Sequence, residues 1–177
     1  MSLPILLFRR VESPGRTTDL PAFYPIESST PENIERCAQL MMASSPWNVL
    51  YFSLEECIET LQPEQNIRVF VHETEGQLVG FMAVLPGGFA EEPMVEYICI
   101  ADEYRGQGIG TAFMKFFEEV LYPDAINYYL LVSDINADAK RLYERLGYVQ
   151  VGLLANFNLP GQNEFIMRKT KGPRHLR

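Results

Sequence analysis

The chain has 177 residues, 47% hydrophobic and 21% charged, the make-up of one ordinary soluble domain long enough to bury a core without staples. A net charge of −8 argues against non-specific nucleic-acid binding, which needs clustered Lys and Arg, and mildly favours a cationic partner such as an amine. Three cysteines without a C-x-x-C pair, two isolated histidines, no run of 18 apolar residues and no basic, apolar leader pattern argue against a disulfide scaffold and a metal centre, give no indication of a membrane span or a signal peptide, and make a reducing cytoplasm the expected home.

In chain order, residues 1–20 carry Pro4, Pro14 and Gly15 around one short apolar run and read as an added strand or loose arm, an extension to a main domain over 21–177. Residues 22–26 form a short strand with Pro25 inside it, which suits a sheet edge. Thr30 and Pro31 open a helix whose apolar positions Ile34, Cys37, Ala38, Leu40 and Met41 keep helical spacing to about Ser44. After an aromatic-rich connection with Trp47, either a pocket wall or a plug into the core, Ser53 and Glu56 make a capping box for a second helix reaching about Leu61. Two β-rich runs, 67–73 and 77–85, flank Thr74-Glu75-Gly76 as a hairpin, with His72 as a surface or cross-strand residue. Residues 86–93 read as a loop and 94–100 as the next strand.

Between that strand and the next helix lies Ile100-Ala-Asp-Glu-Tyr-Arg-Gly-Gln-Gly-Ile-Gly-Thr111. Glycines at 106, 108 and 110 free the backbone for positive φ or close approach, and a strand, a glycine-rich turn and a helix N-terminus together make an anion site. A P-loop would need Lys-Ser or Lys-Thr after Gly110, where Thr111 and Ala112 stand. A dinucleotide fingerprint starting at Gly108 and Gly110 would need glycine at Phe113. A plain strand-to-helix turn, the bland alternative, needs only one glycine.

Beyond it, Phe113, Phe116, Phe117, Val120 and Leu121 recur on one face of a helix over 111–121 that Pro123 ends. Residues 128–133 read as a buried, parallel-type strand. Asn136 caps a helix with Ala139, Leu142, Tyr143 and Leu146 inward and Gly147 as its stop, and strands at 148–153 and 164–169 close the chain. The order β-α-α-β-β-β-α-β-α-β-β implies an α/β (mixed α+β) fold, a mixed sheet with helices on both faces.

Two motifs carry a family resemblance. Arg105, Gly108 and Gly110, with Ile100 five residues upstream, resemble motif A of the GNAT superfamily of N-acetyltransferases, and Asn136-Ala-Asp-Ala-Lys-Arg-Leu-Tyr-Glu-Arg-Leu-Gly-Tyr148 resembles its second motif. The resemblance spans about 22–169. It implies a mostly antiparallel mixed sheet with one splayed parallel strand pair, and acetyl-CoA as cosubstrate, with no metal. It also places the pantetheine arm along the backbone of Ile98, Cys99 and Ile100, and the pyrophosphate on the N–H groups of Arg105, Gly106, Gln107, Gly108, Ile109, Gly110 and Thr111. Arg105 would serve through its side chain or through its N–H alone. Asn136, beside Ala139, would touch the pantetheine arm, cap the helix, or do both.

Tyr143 stands where relatives keep a tyrosine at the coenzyme sulfur, a phenol suited to protonate a departing thiolate; the competing reading is a core aromatic. For the base, the position where ribosomal-protein acetylases carry a glutamate is Leu131, which departs from that pattern. Glu96, an acid inside an apolar strand and on the face of Ile98 and Ile100, is the candidate base, against the alternative of an acid paired with a nearby cation. The basic end of Arg168, Lys169, Lys171, Arg174 and Arg177 would reach the coenzyme 3′-phosphate or form a solvated tail.

The expectation is therefore direct acetyl transfer from acetyl-CoA to a primary amine, small-molecule or peptide, in a ternary complex. A non-catalytic acyl-CoA sensor is the alternative. Neither nucleic acid nor membrane is expected as a partner, and a homodimer is compatible with the sequence. Variable segments at 44–52, 86–93 and 155–163 are where an acceptor would be recognised.

Overall fold

The structure is a computed structural model that describes residues 31–49 and 53–174. The extension at 1–20, the strand expected at 22–26, Arg177 and part of the aromatic connection lie outside the described residues.

Helix α1 (Pro31–Ala43) and helix α2 (Leu54–Thr60) come first. The capping box forms as the sequence requires: Glu56 N–H donates to Ser53 Oγ at 3.2 Å and Ser53 N–H donates to Glu56 Oε2 at 2.7 Å. Strands β1 (Arg68–Thr74), β2 (Gln77–Phe89), β3 (Glu92–Ile100), β4 (Asn127–Ser133), β5 (Val149–Leu154) and β6 (Glu164–Thr170) make one sheet in the order β1-β2-β3-β4-β6-β5. Every neighbouring pair is antiparallel except β3 and β4, which run parallel.

The expected loop at 86–93 is instead the tip of the β2–β3 hairpin. Strand β2 runs on through Pro86, Gly87 and Gly88, pairs Phe89 with Glu92, and reverses over Ala90 and Glu91, whose φ values are 51° and 64°. The register irregularity between Leu85 and Phe89 takes up the proline, and Gly88 leaves room no side chain would have: a Cβ there would lie 2.8 Å from Leu85 Cβ and Met94 Cβ.

Each face of the sheet carries its own core. On one side, α1 and α2 bury Ile34, Cys37, Met41, Cys57 and Leu61 against Val69, Val71, Phe81, Ala83 and Cys99. On the other, α3 (Ile109–Phe116) and α4 (Ala137–Arg145) bury Phe113, Phe117 and Tyr143 against Met82, Val84, Val95, Leu130, Val132 and Met167. Phe113 and Phe117 are almost wholly buried, each stabilising the fold by about 1.5–3 kcal/mol.

The helix expected over 111–121 starts two residues earlier and does not stay α-helical. After Phe116 it widens into a π turn, Phe117–Leu121, closed by Tyr122 N–H donating to the Phe117 carbonyl at 3.1 Å. The wider turn rotates the following residues, so Val120, expected inward, is 57% exposed. Helix α4 ends as the sequence indicates: Gly147 takes φ 92°, and the Tyr148 and Gly147 N–H groups donate to the carbonyls of Tyr143 and Glu144.

Candidate active site

The site begins where two parallel strands part. Strands β3 and β4 pair only at Met94 with Tyr129 and Val95 with Leu130. On the other side of β3, Val84 stands opposite Val95 and Ala83 opposite Tyr97, so Glu96 is the extra residue of a bulge. From that bulge onward β3 follows β2 and leaves β4, and a cleft of about 800 Å³ opens beside Ile98 and Ile100.

The backbone groups that face the gap follow from alternation. Ala101 N–H donates to the Val79 carbonyl at 2.9 Å, so the groups of Tyr97 and Cys99 also turn to β2 and those of Ile98 and Ile100 turn to the gap. The Cys99 carbonyl accordingly lies 2.7 Å from where a Gly80 Cβ would stand, and the Cys99 thiol donates to the Leu40 carbonyl on the opposite face. Of the three strand residues expected to present their backbone to a ligand, Cys99 lines the cleft without turning its polar groups into it. Burial pushes its thiol up to about 11, and that of Cys37 to about 12, which leaves both as neutral thiols rather than nucleophiles.

The glycine turn supplies donors. Gly106 and Gly108 take φ 76° and 86°, and a Cβ at either would meet nothing within 4 Å, so what demands glycine there is backbone conformation alone. Gly108 is the N-cap of α3, and the first intrahelical bond is Ala112 N–H to the Gly108 carbonyl. The N–H groups of Ile109, Gly110 and Thr111 are therefore the unpaired first-turn donors, aimed into the cleft that these residues line. Arg105 is a correction to this set. Its N–H donates to the Asp102 carbonyl at 3.2 Å, closing a short 3₁₀ turn, and its side chain folds back, with Nε donating to the Ile100 carbonyl at 3.1 Å and the guanidinium paired with Asp102. It braces the loop against β3. Gln107 likewise turns its amide back to the Glu103 carbonyl and does not line the cleft, leaving only its N–H to the turn.

Helix α4 forms the facing wall. Asn136 caps it, its Oδ1 accepting from Ala139 N–H at 3.2 Å, and Asn136, Ala137 and Ala139 line the cleft. Tyr143 is 3% exposed and belongs to the core, yet it also lines the cleft, and its hydroxyl makes no hydrogen bond among the described residues. The two readings of Tyr143 are thus compatible: one residue both packs in the core and borders the cleft. Burial pushes its phenol well above the usual tyrosine range, so it stays protonated.

Glu96 is half-buried, burial raises its carboxyl above the usual range, and it forms no salt bridge among the described residues. It does not line the cleft, but sits at the bulge where the strands separate, two residues before Ile98. Among the described residues, the cations of the basic end are engaged away from this site: Lys169 pairs with Glu118, Lys171 with the Pro123 carbonyl, Arg168 with Asn127, and Arg174 with Glu91 and Glu92. Sequence reasoning passed over Arg141 and Arg145, both of which line the cleft from α4; their signal was the i, i+4 spacing beside Leu142.

Comparison with known proteins is consistent with this geometry. Residues 65–150 match the acetyltransferase (GNAT) domain family. The chain is 27% identical over 158 residues to an N-α-acetyltransferase of Sulfurisphaera tokodaii, spanning 81% of this chain and 91% of that one. It is 23% identical to an N-α-acetyltransferase of Saccharolobus solfataricus, spanning 82% and 92%. Among solved structures, an aminoglycoside 6′-N-acetyltransferase complexed with coenzyme A superposes with a TM-score of 0.67 at 21% identity, covering 87% of this chain and 99% of that one.

Proposed function

Because this chain belongs to the GNAT superfamily of N-acetyltransferases, we propose that it moves the acetyl group of acetyl-CoA to a primary amine by direct attack in a ternary complex. The observation that carries this reading is the juxtaposition of unpaired N–H groups at the start of α3 with the opened edge of β3. The residues fit the coenzyme: positive-φ glycines and first-turn donors suit a diphosphate, and the free backbone groups of Ile98 and Ile100 suit an amide-bearing arm lying along β3.

Bound acetyl-CoA supplies the acetyl group as a thioester and leaves as the free thiol. The N–H of Ile98 or Ile100 polarises the carbonyl that accepts the attack. Glu96, with a raised affinity for protons, takes the amine proton, through a water because it stands back from the cleft. Tyr143, kept protonated by burial, hydrogen-bonds the sulfur and passes its proton to the departing thiolate, then recovers one from solvent while Glu96 releases the proton it took. Neutral, buried thiols at Cys37 and Cys99 favour this direct route over a covalent enzyme intermediate.

The N-α-acetyltransferase relatives make a peptide α-amine the first acceptor to test. Free-thiol release from acetyl-CoA, measured across peptides, polyamines and aminoglycosides, is expected to give turnover with at least one amine. Thermal stabilisation by acetyl-CoA with no thiol release from any of them would replace the enzyme with a sensor.

A further inference from the structure

Resting on the role given to Tyr143 above, we propose that Tyr148, seated against the Glu118–Lys169 ion pair, is a positioning residue that holds the Tyr143 ring at the border of the cleft. Tyr143 has no polar anchor of its own: its hydroxyl makes no hydrogen bond among the described residues, so backbone bonds and ring packing orient it. Tyr148 supplies one of each. Its N–H donates to the Tyr143 carbonyl at 3.0 Å, and its ring meets that of Tyr143 edge-on, with 6.2 Å between centroids and 61° between planes.

What surrounds Tyr148 is polar, although the residue is only 1% exposed. Its hydroxyl is buried and without a hydrogen-bond partner, and so is Oε1 of Glu118. Burial, and after it the nearby Glu118 charge, pushes the Tyr148 phenol well above the usual tyrosine range, so the hydroxyl keeps its proton. Glu118 Oε2 pairs with Lys169 Nζ at 2.5 Å, and that ammonium lies 5.9 Å from the Tyr148 ring centroid. A buried donor and a buried acceptor left open on neighbouring side chains are complementary, and a small rotation of either closes them into one hydrogen bond. The π turn sets which side chain comes inward. An α-helix continuing from Phe113, Phe116 and Phe117 would bury Val120; the wider turn exposes Val120 and leaves the Glu118 side chain 12% exposed, with its carbonyl held by the Tyr128 hydroxyl. A carboxylate there costs more to bury than a valine would, and what it provides is a fixed seat for Tyr148 and, through that ring, for Tyr143.

Ring-proton NMR of the full chain tests the seat without needing an acceptor. In the wild type the two sides of the Tyr143 ring are expected to give separate, slowly exchanging signals, and in Tyr148→Phe one averaged set. With an amine that is turned over, Tyr148→Phe should lower kcat about tenfold and leave KM for acetyl-CoA and calorimetric affinity for CoA within about twofold, because an acid is misplaced while the binding groups stay. Glu118→Ala should act in the same way, and Glu118→Gln, which still accepts a hydrogen bond, should recover most of the loss. In a Tyr143→Phe background, Tyr148→Phe should cost no further turnover. Thermal melting of each variant reads its structural contribution separately, and if Tyr148→Phe does not fold, the two Glu118 variants decide. Unchanged ring exchange, equal losses from Glu118→Gln and Glu118→Ala, or a Tyr148→Phe loss that adds in full to that of Tyr143→Phe would overturn the seat and leave the acid role of Tyr143 in place. Full turnover by Tyr143→Phe alone would overturn both.

Discussion

At the scale of single residues, burial divides the chemistry. Tyr143 is packed in the core at the border of the cleft, and that packing keeps its phenol neutral. Tyr143→Phe should lower kcat by about 10- to 100-fold, the low end for a positioned acid, and leave KM for acetyl-CoA nearly unchanged. A KM rise with kcat intact would make the hydroxyl a binding group instead. For Glu96, the same desolvation has a sign that can be read twice. Its folded-state carboxyl is raised above its unfolded value, so the stability it contributes is fully present below the unfolded value and is lost as pH rises through the raised one. Glu96→Gln should therefore melt higher than wild type at pH 8, with the gain vanishing towards pH 4, while turnover falls about 100-fold. Wild-type activity should decline as pH drops through the raised Glu96 value. A substitution that lowers both melting point and turnover would mark Glu96 as a structural anchor. That Tyr143 lies on an inward helix face and Glu96 inside an apolar strand was legible in the sequence. The dual position of Tyr143 and the withdrawn position of Glu96 were not, because both depend on where β3 parts from β4.

At the scale of elements, glycines that look alike in the sequence do different work. Gly108 caps α3 with φ 86°, a left-handed conformation that costs a side chain about 1–2 kcal/mol. Gly108→Ala should lower the melting temperature and raise KM for acetyl-CoA, since the donors of the first turn would shift. Gly110 already lies inside α3, and alanine is the better helix former by about 1 kcal/mol. Its added methyl meets only the end of Leu142 at 3.2 Å, so Gly110→Ala should leave the melting temperature unchanged or slightly raised. Equal destabilisation by both would show the whole turn to be under strain. Local signals predicted the capping box at Ser53, the Gly147 stop and the positive-φ glycines before α3, because each is written within a few residues. What went unread depends on partners distant in the chain. The β2–β3 tip looked like a loop because of Pro86, Gly87 and Gly88, yet Phe89 stacks on Tyr129 of β4 at 4.6 Å, and Arg174 holds Glu92 from the far end of the chain. The π turn that exposes Val120 is fixed by Phe117 and Tyr128 packing, with the Tyr128 hydroxyl donating to the carbonyls of Glu118 and Tyr122. The sequence left Arg105 between a side-chain and a backbone role for the same reason: its guanidinium meets the Ile100 carbonyl, which the splayed strand leaves without a β4 partner.

For the molecule as a whole, the cleft exists because two cores hold β3 from opposite faces. Val95 packs with the α3 and α4 side and Cys99 with the α1 and α2 side, so the strand is fixed without needing β4 beyond Val95. The edge is then open in the free protein, where the amides of Ile98 and Ile100 have no partner strand. Hydrogen exchange can read that edge residue by residue. In the unliganded protein the amides of Ile98 and Ile100 should exchange far faster than those of Tyr97 and Cys99, although all four lie in one strand, because only the latter two face β2. Adding CoA should slow Ile98 and Ile100 selectively and, at about 100 times its Kd, stabilise the fold by about 2.7 kcal/mol. Uniform protection of all four amides before any ligand is added would mean that the strands close in solution. The backbone of β3 would then be unavailable to the coenzyme, and its arm would have to be held by α4 alone.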